Sequence, residues 1–205
     1  VVITNPKAQA LLAYLALQPS YRADRVTLAT LLWDEAPASK ARANLRKTLS
    51  RLRETFAQAR AAPLLIDAQV VAFEPSAVQI DAIDVEQQQS LATPEALQRA
   101  LQLTRGEFCQ QLEPGGEVLT DWLETQRRRF REYAEQARKH LAAHYLAIGA
   151  IDAAIELSLA RLAGDPLQED VHRDLIRLYP PPDRIGAAPQ PDKNCDAAWR
   201  DAPQL

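Results

Sequence analysis

Hydrophobic positions between residues 39 and 60 recur at helical spacing. In SKARANLRKTLSRLRETFAQAR, Leu45, Leu49, Leu52 and Phe56 follow one another at steps of four, three and four, which places them on one stripe of a helix. The spacing predicts an amphipathic helix over 39–56, with Ser39 as its N-cap. At about 100° per residue, Lys40, Ala43, Asn44, Lys47, Ser50, Arg51 and Glu54 lie opposite that stripe. Arg42, Arg46 and Arg53 fall on one flank.

Two shorter helices precede it. Residues 1–4, VVIT, read as the remnant of a strand. Pro6 suits a helix start, and Lys7 to Leu17 reads as a helix with Leu11, Leu12 and Leu15 inward. Asp24 can cap a short helix through Leu32, with Val26, Leu28, Leu31 and Leu32 apolar and Trp33 packed beneath the following turn. After the basic helix the pattern changes. Leu64–Ile66 and Val70–Phe73 are apolar runs around Asp67-Ala68-Gln69 and read as a β-hairpin, although the turn lacks an Asn-Gly signal. Three helices and a hairpin make a winged-helix arrangement. No Lys or Arg occurs from 61 to 80, so this wing carries little charge toward phosphates and the helix should do most of the binding.

The second part is helical. Residues 81–92 form a connector, helical after Asp84. Thr93-Pro94 is a cap followed by proline at the first helical position, opening a helix over 94–104. A loop with Pro114-Gly115-Gly116 leads into a long helix over 117–147, with Trp122, Leu123, Phe130, Tyr133, Ala137, Leu141, His144 and Tyr145 along its less polar side. A partner helix over 150–163 places Ile151, Ala154, Ile155, Leu159 and Leu162 inward. Residues 167–179 begin another, with Val171, Leu175, Ile176 and Leu178. The unit from 133 to 166 has roughly the thirty-four-residue length and closing proline of a tetratricopeptide-like repeat. Arrays of this kind bind proteins or dimerise. Residues 180–205 lose helical periodicity and hold six of the fourteen prolines, the pattern of an irregular tail. The predicted fold is mainly α: a winged helix-turn-helix with a small hairpin wing over 1–80, helical repeats over 81–179, and the tail. The chain contains no Met and begins at Val1. It therefore reads as part of a longer polypeptide, and a reading-frame change near residue 180 would account for the proline-rich text.

Charge gives the basic helix a chemical meaning. The chain carries −3 overall, whereas residues 40–60 carry seven Lys and Arg against Glu54 alone. A local reversal of sign of this kind marks a polyanion contact. Residues 1–80 hold ten basic and six acidic residues, and 81–205 hold fourteen and twenty-one, a basic part followed by an acidic one. Asn44, Lys47 and Arg51 can reach base edges, since amide, ammonium and guanidinium groups match purine acceptors and donors. Arg42, Arg46 and Arg53 suit phosphates. Lys40 and Ser50 complete the candidate DNA-binding set, and small side chains at Ala43 and Ser50 permit close approach to a groove. The blander reading is a solvated basic face. The rival function is a protein-interaction module in which the helical repeats do the work and the winged helix no longer reads DNA.

Other chemistry is thinly represented. No apolar run has the length of a membrane span and no secretory leader is visible. Cys109 and Cys195 make no disulfide framework, so the reducing cytoplasm is the expected compartment. His140 and His144 stand four apart, a metal-ligand spacing, but no acid follows His140 and no Cys lies near, so both read as structural and no metal is expected. His172 reads as a packing or surface residue. Asp81 and Asp84 read as caps, and six glycines form no phosphate loop. No convergent catalytic set or cofactor site emerges, so an enzyme is not expected. The cluster Arg127-Arg128-Arg129-Phe130-Arg131 is surrounded by Glu124, Glu132 and Glu135 and reads as solvated or interdomain.

KAQALLAYLAL, LATLLWDEAP, KARANLRKTLSRLR and VQIDAIDVE occur in this order, followed by RGEFCQQL, DWLETQRRRFRE and AIELSLARLAGDPLQEDVHRDLIRLY. In these segments the chain resembles SARP-type regulators, bacterial antibiotic-regulatory activators that join an OmpR-type winged helix to a bacterial transcriptional activator domain. The resemblance covers about residues 6–179. It implies a transcription regulator, most simply an activator, that binds direct repeats in promoter DNA as a dimer and recruits RNA polymerase. Helix 39–56 would be its recognition helix and 64–73 its wing. The chain departs from the family pattern at both ends. The sheet that precedes the first helix is mostly missing, and the closing repeat helix is replaced by 180–205.

Overall fold

A computed structural model describes residues 2–58, 60, 62–113 and 115–178. The expectation of an irregular tail over 180–205 lies outside the described residues. Helix α1 (Pro6–Ala16) begins where Asn5 accepts the Ala8 amide and Pro6 occupies the first turn. Strand β1 (Arg22–Asp24) leads directly into α2 (Arg25–Leu32), and after a turn comes α3 (Ala38–Gln58). The hairpin β2 (Leu64–Ile66) and β3 (Val70–Phe73) follows. β3 is the central strand of a three-stranded antiparallel sheet in the order β1-β3-β2. Leu64 faces Phe73 on one side of it, and Arg22 faces Ala72 on the other.

Several local expectations are corrected. Residues 2–4 are not a strand: among the described residues no strand pairs with them, and the Ile3 carbonyl accepts from the Gln9 side chain instead. Asp24 occupies the N-cap position of α2 as expected, but its side chain makes no capping hydrogen bond. Ser39 sits inside the first turn of α3. The helix starts earlier, with the Pro37 carbonyl accepting the Lys40 and Ala41 amides. Asp81 already opens a helix expected to start after Asp84.

The second part consists of α4 (Asp81–Leu91), α5 (Pro94–Leu103), the long α6 (Glu117–Ala147), α7 (Ile151–Gly164) and α8 (Glu169–Leu178). Each packs on the next. Thr93 caps α5 through the Ala96 amide. α7 is turned from the expected face only in part: Ala154 is buried and Ile155 and Leu162 are half-buried as expected, but Ile151 and Leu159 are exposed and Ser158 and Arg161 are buried instead. Small side chains at 154 and 158 let the helix lie close against α6. The Ser158 hydroxyl is satisfied by the Ala154 carbonyl, and the Arg161 guanidinium by Glu135, Gln168 and Asp170. Burial opposes the charge of Arg161. The hydrogen bond and charge of Glu135, then those of Asp170, outweigh it and raise the guanidinium's pKa above its usual value. Ile176 of α8 is also exposed.

The largest apolar cluster crosses the middle of the chain. It joins Leu11 and Leu15 of α1, Leu28 and Leu32 of α2, and Leu45, Leu49 and Leu52 of α3 to Leu119 and Leu123 of α6. Trp33 packs against this cluster as expected. Tyr14 meets Trp122 with ring centroids 5.3 Å apart. Helix α6 therefore begins on the first three helices and ends among its own neighbours, where Ala137 and Leu141 pack with Leu97.

Candidate nucleic-acid interface

The surface of interest is built by the Leu stripe of α3. Leu45, Leu49 and Leu52 are 1–3% exposed, with Ala41 and Thr48 buried beside them. Burying three leucines contributes roughly 5–9 kcal/mol of transfer free energy, enough to fix which side of α3 faces out. Lys40, Arg42, Arg46, Lys47, Ser50, Arg51 and Arg53 are exposed, and Asn44 is half-buried. All eight candidate residues are thus on or near the outward side, but they do not form one patch.

By helical phase Lys47 and Glu54 lie most directly opposite the leucines, and the Ser50 hydroxyl beside them donates to Glu54 at 3.1 Å. One flank faces the hairpin: Arg53 donates to the Ile66 carbonyl at 3.0 Å. This ties α3 to β2 and occupies part of a guanidinium expected to serve phosphates alone. The opposite flank faces the start of the chain, where Arg51 lines a cleft of about 440 Å³ with Thr4, Asn5 and Gln58. Asn44, Lys47 and Arg51 share the side of α3 away from the hairpin, while Arg42, Arg46 and Arg53 share the side toward it.

The hairpin is more basic in its surroundings than its own sequence indicates. β1 and the start of α2 bring Arg22 and Arg25 beside the 67–69 turn. Arg25 donates its backbone amide to the Gln69 carbonyl at 2.8 Å and its side chain to the Asp67 carbonyl at 2.9 Å. The Asp67 carboxylate accepts the Val70 and Gln69 amides, each at 2.7 Å. Those two bonds, aided by the charges of Arg22 and Arg25, hold its carboxyl below the usual range. Arg22 is exposed on β1. The wing is therefore not free of cationic charge, as the stretch 61–80 suggested. The missing signal was YRADR at 21–25, which carries no strand periodicity of its own.

The basic run at 127–131 splits around α6. Arg127 reaches Glu107 and the carbonyls of Phe108, Cys109 and Leu112. Arg129 pairs with Glu86 at 2.6 Å and lies over the Tyr133 ring. Both brace neighbouring elements of the same helical part, α4 and the 107–112 turn, so these two arginines are neither simply solvated nor interdomain. Cys109, packed beneath this corner, has its thiol pushed up to about 11 by burial, with Asp81 adding to the shift. That leaves little thiolate for chemistry.

The geometry describes a mainly helical protein in which a Leu-anchored basic helix and a small sheet stand at one end and antiparallel helix pairs at the other. Residues 72–190 match the family model of the bacterial transcriptional activator domain. The match covers more than half of the chain, and the chain belongs to this family, whose role is regulatory. No curated protein matches the chain. Among the described residues, no helix is long and apolar enough to cross a membrane.

Proposed function

We propose that the protein is a sequence-specific DNA-binding transcription regulator, acting as an activator, with α3 as its recognition helix. One observation carries the reading: the side of α3 opposite the buried leucines is cationic and uncovered. An α-helix fits the major groove of B-form DNA. Placed there, Lys47, Asn44 and Arg51 address base edges. Arg42 and Arg46 address phosphates on the flank nearer the hairpin, with Lys40 at the N-terminal end. The hairpin with β1 serves as the wing, and Arg22 adds a phosphate contact there. Helices α4 to α8 form the activator part, a tetratricopeptide-like array that contacts RNA polymerase. Binding to direct promoter repeats as a dimer in the cytoplasm follows from the SARP-type resemblance. The domain division is at about residue 80, between the winged helix and the activator part.

Genomic footprinting of the protein, followed by binding measurements on the sites recovered, tests this. The reading requires discrete promoter sites, with Lys47→Ala weakening binding to them more than to bulk DNA. Recovery of no sequence preference refutes it.

A further inference from the structure

A second surface lies away from α3. A cleft of about 660 Å³ runs between α6, the 104–108 turn and the end of α7. Its floor is aromatic: Phe108 and Phe130 stack with centroids 4.9 Å apart. Arg105, Arg128, Arg131 and Arg138 line it. Two further arginines on its walls are already committed, Arg127 to the 107–112 turn and Arg161 to Glu135 and Asp170. Among the described residues Arg105, Arg128 and Arg138 have no ion-pair partner. Arg131 reaches Glu107 only at 3.6 Å and is 64% exposed.

The layout of these charges selects the ligand class. Along α6, Arg128 and Arg138 are about 15 Å apart at 1.5 Å per residue. Guanidinium groups spread over that length suit carboxylates strung along a chain; a small anion needs donors converging on one point. Glu107, Glu132, Glu135 and Asp165 also line the cleft; Glu107 and Glu135 answer Arg127 and Arg161, and the interrupted positive charge that remains suits a peptide with spaced acids better than the unbroken charge of a duplex. An aromatic floor beneath spaced cations matches an extended peptide that alternates acidic and apolar side chains. We infer that this cleft binds an acidic, apolar-bearing peptide segment of a partner protein, with carboxylates on Arg105, Arg128 and Arg138 and an apolar side chain over Phe108 and Phe130. None of these residues lies on α3, so the site stands whether or not α3 reads DNA.

The test is fluorescence anisotropy on the full chain. The probe is a short labelled peptide alternating Asp or Glu with Leu or Phe. The control is the same peptide with every acid replaced by Lys. The acidic probe binds, the lysine control does not, and the double variant Arg128→Glu/Arg138→Glu weakens the probe by roughly tenfold or more. Circular dichroism checks that the double variant is folded, and Arg105→Gln, on an exposed turn, provides a milder second variant that also weakens the probe. DNA affinity of both variants stays within about twofold of the parent. Equal binding of both peptides, unchanged probe affinity in the variants, or full displacement of the probe by equimolar citrate overturns the inference. So does a parallel loss of DNA affinity, which would make the cleft a phosphate-contacting surface.

Discussion

The Asp34 carboxylate accepts the backbone amide of Val118 at 3.0 Å, across 84 residues of chain. Asp34 stands in the turn between α2 and α3, and Val118 in the first turn of α6. The N-cap residue of α6 is Gly116, which has no side chain to offer the free amides, so the cap comes from the other half of the molecule. The same contact accounts for the glycine. Its backbone is extended, which any residue adopts, but a Cβ there would stand 2.0 Å from the Asp34 Oδ1. The turn that launches the basic helix and the start of the longest helix are thus one joint. Lys7 of α1 sits beside it. Burial lowers the pKa of Lys7, and the charges of Asp34 and Glu35 resist that shift.

Asp34→Ala should lower stability by about 1 kcal/mol, the usual worth of an N-cap, as read by urea unfolding. The Val118 amide bond is the largest influence holding the Asp34 carboxyl below its ordinary value. A depressed folded pKa adds stability above the unfolded pKa, near 3.9, and loses it as pH falls through the folded value. The gap between parent and Asp34→Ala should therefore be full at neutral pH and shrink below about pH 4. A gap that does not depend on pH refutes the ionised cap. Gly116→Ala should disturb the joint by displacing the same carboxylate.

The buried and outward sides of α3 should separate cleanly. Leu45→Ala removes a side chain that is 1% exposed and should cost about 3 kcal/mol. Lys47→Ala should change stability by no more than about 0.5 kcal/mol. Chemical unfolding of both variants checks this. Comparable losses would mean that Lys47 supports the fold.

Arg161 bridges three helices' worth of contacts from a buried position, with its closest bond to Glu135 at 2.6 Å. Arg161→Met should cost about 2 kcal/mol, mostly from leaving Glu135 without its partner. Asp170 is more than half exposed, so its share is small. A double-mutant cycle with Glu135→Gln should show the two positions to be coupled, and simple additivity would contradict the packing described.

Much of this architecture was legible because it repeats locally. The leucine stripe of α3, the Thr93-Pro94 start of α5 and the extent of α6 each follow from spacing within a few turns. The features that escaped depend on distant partners. β1 is three residues with no pattern, and it is a strand because β3 offers it an edge. Asp34 resembles any turn acid until Val118 comes alongside it. α7 carries more Ile and Leu than one inward face can hold, and packing on α6 buries the small residues Ala154 and Ser158, leaving Ile151 and Leu159 outside. Of the candidate interface, exposure was foreseeable from helical phase. The Arg53–Ile66 tie and the approach of Arg22 and Arg25 to the wing were not.

Glu54 is the one carboxylate on the outward side of α3, hydrogen-bonded to Ser50. It faces the same way as Lys47 and would repel phosphates. Glu54→Gln should raise affinity for DNA of any sequence several-fold at low salt, with the gain fading as salt rises. Unchanged or weaker binding in an anisotropy titration would place this side of α3 away from the duplex.

The most direct test of the α3 assignment is the salt dependence of binding to a footprinted promoter site, parent against Arg46→Ala and Lys47→Ala. Arg46→Ala should weaken specific and bulk binding alike and reduce the slope of log K against log salt by about one. Lys47→Ala should cost more on the specific site than on bulk DNA. If both variants bind with the parent's affinity and slope, α3 does not contact DNA and the central claim is wrong.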